Sequence, residues 1–305
     1  MERLLVTGID TVVGANLAES LCDRFQVLGV CRHPAFESDG VRIEGHDDDP
    51  AALAELARAW QPRWVIACGA FSLGAWDDMP APSASEINCV KRLAAVADES
   101  AALLTLVSSD AVFTGPRIFH DESIVPGSAS SRAKHVLAIE HAAAGAATLV
   151  VRTHAYGWTP TKNASFAERA YQAIVDGVPL SADGCRHATP ILATDLAAVL
   201  VRAYELRLSG CYHVSGAERT SPHRFVSELA AICGCRWSVQ ATSASVTEWK
   251  LEETSLSSKQ ARRALKMGMP LLREGLSRFV QHVTDGWHDR WSVSSRRAKS
   301  HELAA

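Results

Sequence analysis

The residues with the clearest chemical potential lie in the run Thr7-Gly8-Ile9-Asp10-Thr11-Val12-Val13-Gly14. A glycine at a strand end permits a tight turn, and a second one just inside the next helix permits close helix–strand packing. The unpaired N–H groups of that helix start suit a diphosphate. Gly8, Thr11, Val12 and Gly14 are therefore candidates to hold a dinucleotide, with Thr11 adding a Cβ beside the phosphates. An ordinary strand–helix turn would carry the same glycines. Further along, Val30-Cys31-Arg32-His33 ends a second apolar run without an acidic residue for a free ribose 2′-hydroxyl. Arg32 suits a 2′-phosphate, which favours NADP(H) over NAD(H), although a solvated surface arginine is the alternative. Asp47 or Asp48 could bond an adenine, or the acidic run 47–49 could cap a helix. Cys68, Gly69 and Ala70 offer small residues near the same ligand.

The elements that must position these residues follow from periodicity. Leu4 to Val6 reads as a strand, and residues 14–24 as a helix with Leu17, Leu21 and Phe25 on one face. Strands are expected at 26–30, 41–43, 63–67, 103–107 and 147–152, and helices at 50–60, 83–98 and 130–144. Asp49 caps the 50–60 helix, with Pro50 at its first position. Buried apolar runs alternating with helices predict an α/β fold with a doubly wound parallel sheet, ligand loops lying at the strands' carboxyl ends. Residues 1–160 make up this Rossmann domain. Helices near 163–176, 194–207, 221–233 and 271–284, with short strands at 212–214 and 237–239, predict a smaller lobe over 161–288, some segments returning to the sheet. The basic, Ser-rich stretch 289–305 reads as a flexible tail.

Bulk properties exclude several classes. The chain has 305 residues, 47% hydrophobic and 21% charged, with a formal net charge of −3. That balance argues against nucleic-acid binding and against a polybasic membrane surface. No apolar run reaches bilayer-spanning length and no signal peptide is expected, so the reading is a cytoplasmic protein. The eight cysteines are scattered and read as free thiols. Cys233-Gly-Cys235 lacks a second pair at zinc spacing, and no metal is expected.

At the fifth strand the sequence resembles a known family. Val107-Ser108-Ser109-Asp110-Ala111-Val112-Phe113-Thr114-Gly115 is similar to the S-T-D-Y-V-F-x-G signature of dTDP-4-dehydrorhamnose reductases, which are extended short-chain dehydrogenases. Ile87-Asn88, Asp121-Glu122-Ser123, Val150-Val151-Arg152-Thr153, Arg186-His187-Ala188-Thr189-Pro190, Asp195-Leu196-Ala197 and Gly210 to Gly216 follow in the family's order, over roughly residues 1–285. The glycine loop resembles the family's G-x-x-G-x-x-G, with Thr11 at the middle glycine. The resemblance implies a Rossmann domain with a substrate lobe, and reduction of a nucleotide-linked keto-sugar with NAD(P)H. It also reaches relatives that bind cofactor without reducing a sugar, such as the regulatory beta subunit of methionine adenosyltransferase.

The family's chemistry needs a Y-x-x-x-K turn, the lysine on the nicotinamide ribose and the tyrosine as proton donor. Here the matching stretch is Ser130-Ser131-Arg132-Ala133-Lys134. Lys134 is kept as a cofactor contact and catalytic residue, Ser109 matches the orienting hydroxyl, and Ser130 stands where the tyrosine belongs. Serine is too short and far less acidic than a phenol. His154 is the candidate substitute acid, against the commoner case of a core histidine, and Tyr156 is a second. Asp110, Tyr156, Arg186 and His187 are the substrate-side candidates, and Trp158 either stacks on a base or packs between lobes. Two functions follow: an NADP(H)-dependent reductase of a nucleotide-linked keto-sugar with a non-standard acid, or an inactive cofactor-binding or regulatory scaffold. A homodimer or a regulatory partner protein is compatible with either. Both functions require Lys134 and the glycine turn to meet at one pocket.

Overall fold

The computed structural model describes residues 1–78, 80, 83–127, 130–145, 147–161, 164–235, 239–242 and 253–293. Its first half runs β1 (Glu2–Thr7), α1 (Val12–Leu21), β2 (Phe25–Cys31), β3 (Phe36–Ser38), β4 (Arg42–Gly45), α2 (Pro50–Trp60) and β5 (Trp64–Ala67). It continues with α3 (Ala84–Ser100), β6 (Leu103–Ser109), α4 (Ser131–Ala142) and β7 (Thr148–Thr153). The second half holds β8 (Ala155–Tyr156), α5 (Phe166–Val175), β9 (Ser181–Asp183), β10 (Ile191–Leu192), α6 (Ala193–Glu205) and β11 (Gly210–His213). It closes with α7 (Pro222–Ile232), β12 (Gln240–Thr242), α8 (Lys259–Leu265), α9 (Leu272–Thr284) and β13 (Trp291–Val293).

Seven strands form one parallel sheet in the order β11-β7-β6-β5-β1-β2-β4. The chain winds outward from β1 through β2 to β4, then returns to β5 and winds the other way. The switch point between β1 and β5 opens a crevice at the carboxyl ends of these strands. The central strands are buried on both faces, which is why they read as unbroken apolar runs. One core packs α1 and α6 on the sheet through Leu17, Leu21, Leu196 and Leu200. The other packs α2, α3 and α4 through Leu53, Leu93, Val136 and Ile139.

Local chemistry sets the helix ends. Asp49 accepts from the Ala51 N–H at 2.8 Å, with Pro50 inside the first turn, so α2 starts where the sequence places it. Helix α1 starts two residues earlier than periodicity suggests, because the Thr11 hydroxyl caps it. It also ends earlier, at Leu21, and Phe25 opens β2 instead of extending the helical face.

A third core joins α5, α7 and α9 around Trp76, Trp158, Phe225 and Phe279. This smaller lobe sits beside the carboxyl end of the sheet, and α6 and β11 return to the sheet itself. Trp158 stacks on Phe279 with ring centres 4.3 Å apart and donates to the Phe279 carbonyl, so it packs. The small two-stranded pairs β8–β10, β9–β12 and β3–β13 are too short to have carried a period. Of the strand expected at 237–239, residues 237 and 238 lie outside the described residues, and β12 follows at 240–242. Within the stretch read as a tail, β13 pairs antiparallel with β3 and Trp291 meets Phe36 edge-on at 5.3 Å. Residues 294–305 lie outside the described residues. Among the described residues no helix is long and apolar enough to cross a membrane.

Candidate functional site

A cavity of about 760 Å³ opens at the switch point. Gly8 lies at its wall with a left-handed φ of 63°, and a Cβ there would stand 2.6 Å from the Cys68 carbonyl oxygen. At Gly14 a Cβ would stand 2.2 Å from the Gly8 carbonyl oxygen, inside any tolerable contact. Both glycines are therefore fixed by close backbone approach. Thr11 tolerates its Cβ because its φ is −102°. Its hydroxyl donates to the Gly8 carbonyl at 2.7 Å and accepts from the Gly14 N–H at 3.2 Å. Thr7 clamps the turn to β5 by donating to the Cys68 carbonyl.

The lining runs from Arg32, His46, Asp48 and Leu53, past Gly8, Asp10, Thr11 and Val12, to Leu73, Asp77, Thr159 and Ser165. Cys68, Gly69 and Ala70 form part of the floor. Arg32 pairs with Asp48 at 2.8 Å, both about two-fifths exposed, so the guanidinium already has an anionic partner. Asp47 has φ of 47° and points its carboxylate outward to His33, at 3.0 Å, leaving Asp48 as the wall residue. Glu86, reaching in from α3, accepts from the Ala70 N–H and from the His135 ring. Burial raises the carboxyl pKa of both Asp10 and Asp77. Asp77 accepts from the Phe166 N–H at 2.8 Å, and the residue lines the cavity.

The groups expected to do catalysis are distributed differently. Lys134 lies on an exposed face of α4 and is not among the cavity's lining residues. Helical period explains the separation: Ala133, His135, Val136 and Ile139 are the α4 residues turned into the protein. Ser130 is the N-cap of that helix, its hydroxyl accepting from the Ala133 N–H at 3.1 Å, and it is exposed. Ser109 is fully buried, donates to the Leu73 carbonyl at 2.6 Å and accepts from the Ala111 N–H at 3.1 Å. Its hydroxyl is spent on backbone.

His154 and Asp110 form a sealed pair beneath the cleft. The His154 Nδ1 donates to Asp110 Oδ2 at 2.8 Å, and the ring lies edge-on to Trp76. Thr254, from the second half, donates to the same carboxylate oxygen, and the Ala75 N–H donates to the other at 2.9 Å. Burial alone would raise the Asp110 pKa, but the His154 charge and these donors outweigh it, so the carboxyl is held low. Tyr156 is buried between Phe225 and Phe279, and desolvation pushes its phenol far up. Arg186 turns back to Asp183 at 3.1 Å and His187 to the Cys185 carbonyl, both on the small lobe away from the lining. Thus the structure unites Gly8, Thr11, Val12, Arg32, Cys68, Gly69 and Ala70 at one cavity, with Gly14 packed behind the turn. It does not bring Lys134, Ser130, Ser109, His154, Tyr156, Arg186 or His187 to that wall.

Besides the wall residues Asp10, His46, Asp77 and Glu86, two supporting residues escaped sequence reasoning. Arg132 anchors the cavity loop by donating to the Leu73, Gly74 and Asp77 carbonyls. Its signal was its position two residues before Lys134, a shift of about half a turn. Glu140 takes a bidentate pair from Arg152, at 2.7 and 2.9 Å, and a bond from Ser108 at 2.6 Å. A carboxylate twelve residues before the Arg-Thr strand end was its only trace. Among the described residues no cluster could hold a metal ion.

Comparison with known proteins places this geometry. The chain aligns well with a hypothetical dTDP-4-dehydrorhamnose reductase from Sulfolobus tokodaii, at 22% identity and a TM-score of 0.72, covering 86% of this chain and 94% of that one. The dTDP-4-dehydrorhamnose reductase of Bacillus anthracis in complex with NADP gives 18% and 0.73, covering 92% and 98%. The Bordetella bronchiseptica enzyme WbmG in complex with NAD gives 14% and 0.77, covering 96% and 98%. At these identities the likeness is one of fold. No curated protein matches the sequence. The model of the RmlD substrate binding domain matches residues 1–285, nearly the whole chain, and the protein belongs to that family.

Proposed function

We propose that the protein binds a nicotinamide dinucleotide beside a nucleotide-linked sugar and holds them without reducing the sugar by the family's phenol–lysine route. The single observation that carries this reading is the split just described. The glycine turn and its cavity are built for a ligand, whereas Ser109, Ser130 and Lys134 are spent on backbone, on a helix cap and on solvent. The cradle fits a dinucleotide because Gly8 and Gly14 let the turn lie directly against Cys68 and against the start of α1, which leaves the crevice beside the turn open. Gly8, Thr11 and Val12 would face the diphosphate, Asp48 and Leu53 the adenosine end, and Leu73, Asp77 and Thr159 the nicotinamide end. Arg32 favours NADP(H), exchanging Asp48 for a 2′-phosphate. A bound nicotinamide supplies or accepts hydride, and the chain's own contribution would be to orient the ligands and exclude water. All eight cysteines are free, which suits a reducing, cytoplasmic compartment. The scaffold role resembles that of the methionine adenosyltransferase beta subunit.

One observation favours a second reading, a working reductase. Asp77 puts a carboxyl with raised pKa on the cavity wall, where it could protonate a developing alkoxide. The two readings separate in one pair of assays, NADPH fluorescence titration and reduction of a dTDP-4-keto-sugar. Binding with no turnover is expected, both in the parent and after Ser130→Tyr, since a phenol at that exposed cap stays outside the cavity. Turnover that falls about 10²–10⁴-fold in Asp77→Asn would establish the reductase reading instead. Absence of any NADPH or NADP⁺ binding would end both.

A further inference from the structure

Asp10 occupies the middle of the glycine turn, between Gly8 and the helix cap Thr11, and it lines the cavity with both. It lies two residues before the first of the donors that a diphosphate would use. Those donors are fewer than in a bare helix start. The Gly14 N–H goes to the Thr11 hydroxyl, while the Ala15 N–H makes the helix's ordinary first bond, to the Thr11 carbonyl. The first-turn N–H groups of Val12 and Val13 remain. A diphosphate drawn to them arrives beside the Asp10 carboxyl, anion against anion, in a partly dry crevice where charge is poorly screened.

The groups around Asp10 do not cancel that conflict. Just after β2, Arg32 is a cation acting on Asp10, and it is paired with Asp48 at 2.8 Å. Just after β4, burial lowers the His46 pKa, and its Nδ1 has no partner. From α3, Glu86 adds another acid to the wall. The neighbouring Cys31 thiol is pushed up to about 12, chiefly by burial, and stays neutral. Burial already raises the Asp10 pKa before any ligand enters, against the pull of its own backbone N–H, Arg32 and His46.

We propose that this cavity takes up its dinucleotide together with a proton, which resides on the Asp10 carboxyl, so that affinity falls as pH rises. The inference rests on the dinucleotide reading given above. The neutral carboxyl removes the repulsion and leaves an O–H able to donate to a phosphate oxygen. Linkage fixes the sign. Above the pH at which free Asp10 loses its proton, each pH unit weakens binding towards tenfold. Below it, the dependence vanishes.

The test uses calorimetric titration of the full chain with NAD⁺, whose phosphates carry no group that titrates near neutrality. Runs between pH 5 and 8 in two buffers of different ionisation enthalpy count the protons directly. The expected result is uptake of up to one proton and a Kd that climbs with pH. Asp10→Asn should bind NAD⁺ with a flat profile and at least as tightly at neutral pH, while His46→Asn keeps the parent's slope. An Asp10→Asn profile with the parent's slope overturns the proposal. So does a parent that binds with no proton uptake, a result that needs no variant. If neither parent nor Asp10→Asn binds NAD⁺ or NADP⁺ at any pH, the dinucleotide reading itself fails and takes the proposal with it.

Discussion

The glycine turn and the amino end of α4 make an instructive pair, because both were expected to face one ligand. At the turn, close approach dictates residue type. Gly8 and Gly14 sit where any side chain would strike backbone, Gly8 on the cavity wall and Gly14 packed behind it. At α4, polar residues have ordinary structural work. Ser130 caps the helix, Arg132 ties down three carbonyls, and Lys134 meets solvent. On the reading proposed above, the contrast teaches that a binding site and the catalytic apparatus beside it are separable layers of one fold. The first is set by backbone geometry. The second hangs on a few side chains on one helical face, and a change there leaves the sheet intact.

That contrast can be broken by substitution. The largest effect is expected at Glu140→Ala, which strands the Arg152 guanidinium between α4 and β7. Loss of one partner of a buried pair costs about 3–5 kcal/mol. Urea unfolding should register it, with dinucleotide affinity of the folded fraction unchanged. A parallel loss of affinity would mean that the α4 edge does belong to the ligand site. Next comes Gly14→Ala, whose methyl meets the Gly8 carbonyl and should cost about 1–3 kcal/mol with loss of NADPH binding. Retained binding there would remove the geometric argument for the cradle. Smallest are the α4 surface changes. Ser130→Ala should cost about 1 kcal/mol through the lost cap. Lys134→Ala should stay within about 0.5 kcal/mol and leave the NADPH affinity as it was. A tenfold weakening at Lys134 would rejoin the two regions.

Much of this was legible in the residues. The parallel sheet followed from unbroken apolar runs such as Trp64–Ala67, and the start of α2 from Asp49-Pro50. The turn announced itself because glycine has few substitutes where backbones touch. The α4 region was harder. A motif count assigns Ser130 and Lys134 to a face, but only the helix phase says which face is inside, and that phase is set by Val136 and Ile139 packing on the sheet. His154 looked equally suited to acid chemistry or to the core. Its burial depends on Asp110 and on Thr254, a residue 144 positions after that aspartate, a pairing no local pattern displays. The acidity of the cavity wall was also hidden. Asp10, Asp77 and Glu86 come from three separate loops or helices and reach one cavity only when the sheet is assembled.

The pairing of β13 with β3 gives the carboxyl-terminal segment a task beyond its own order. Strand β3 begins four residues after Arg32, and Trp291 covers Phe36 on it, while Arg290 reaches Glu19 of α1 at 3.0 Å. The segment therefore works as a clasp on the polypeptide that presents the Arg32 guanidinium. Deleting it, or joining another protein directly after Val293, would loosen that rim from a site far away in sequence.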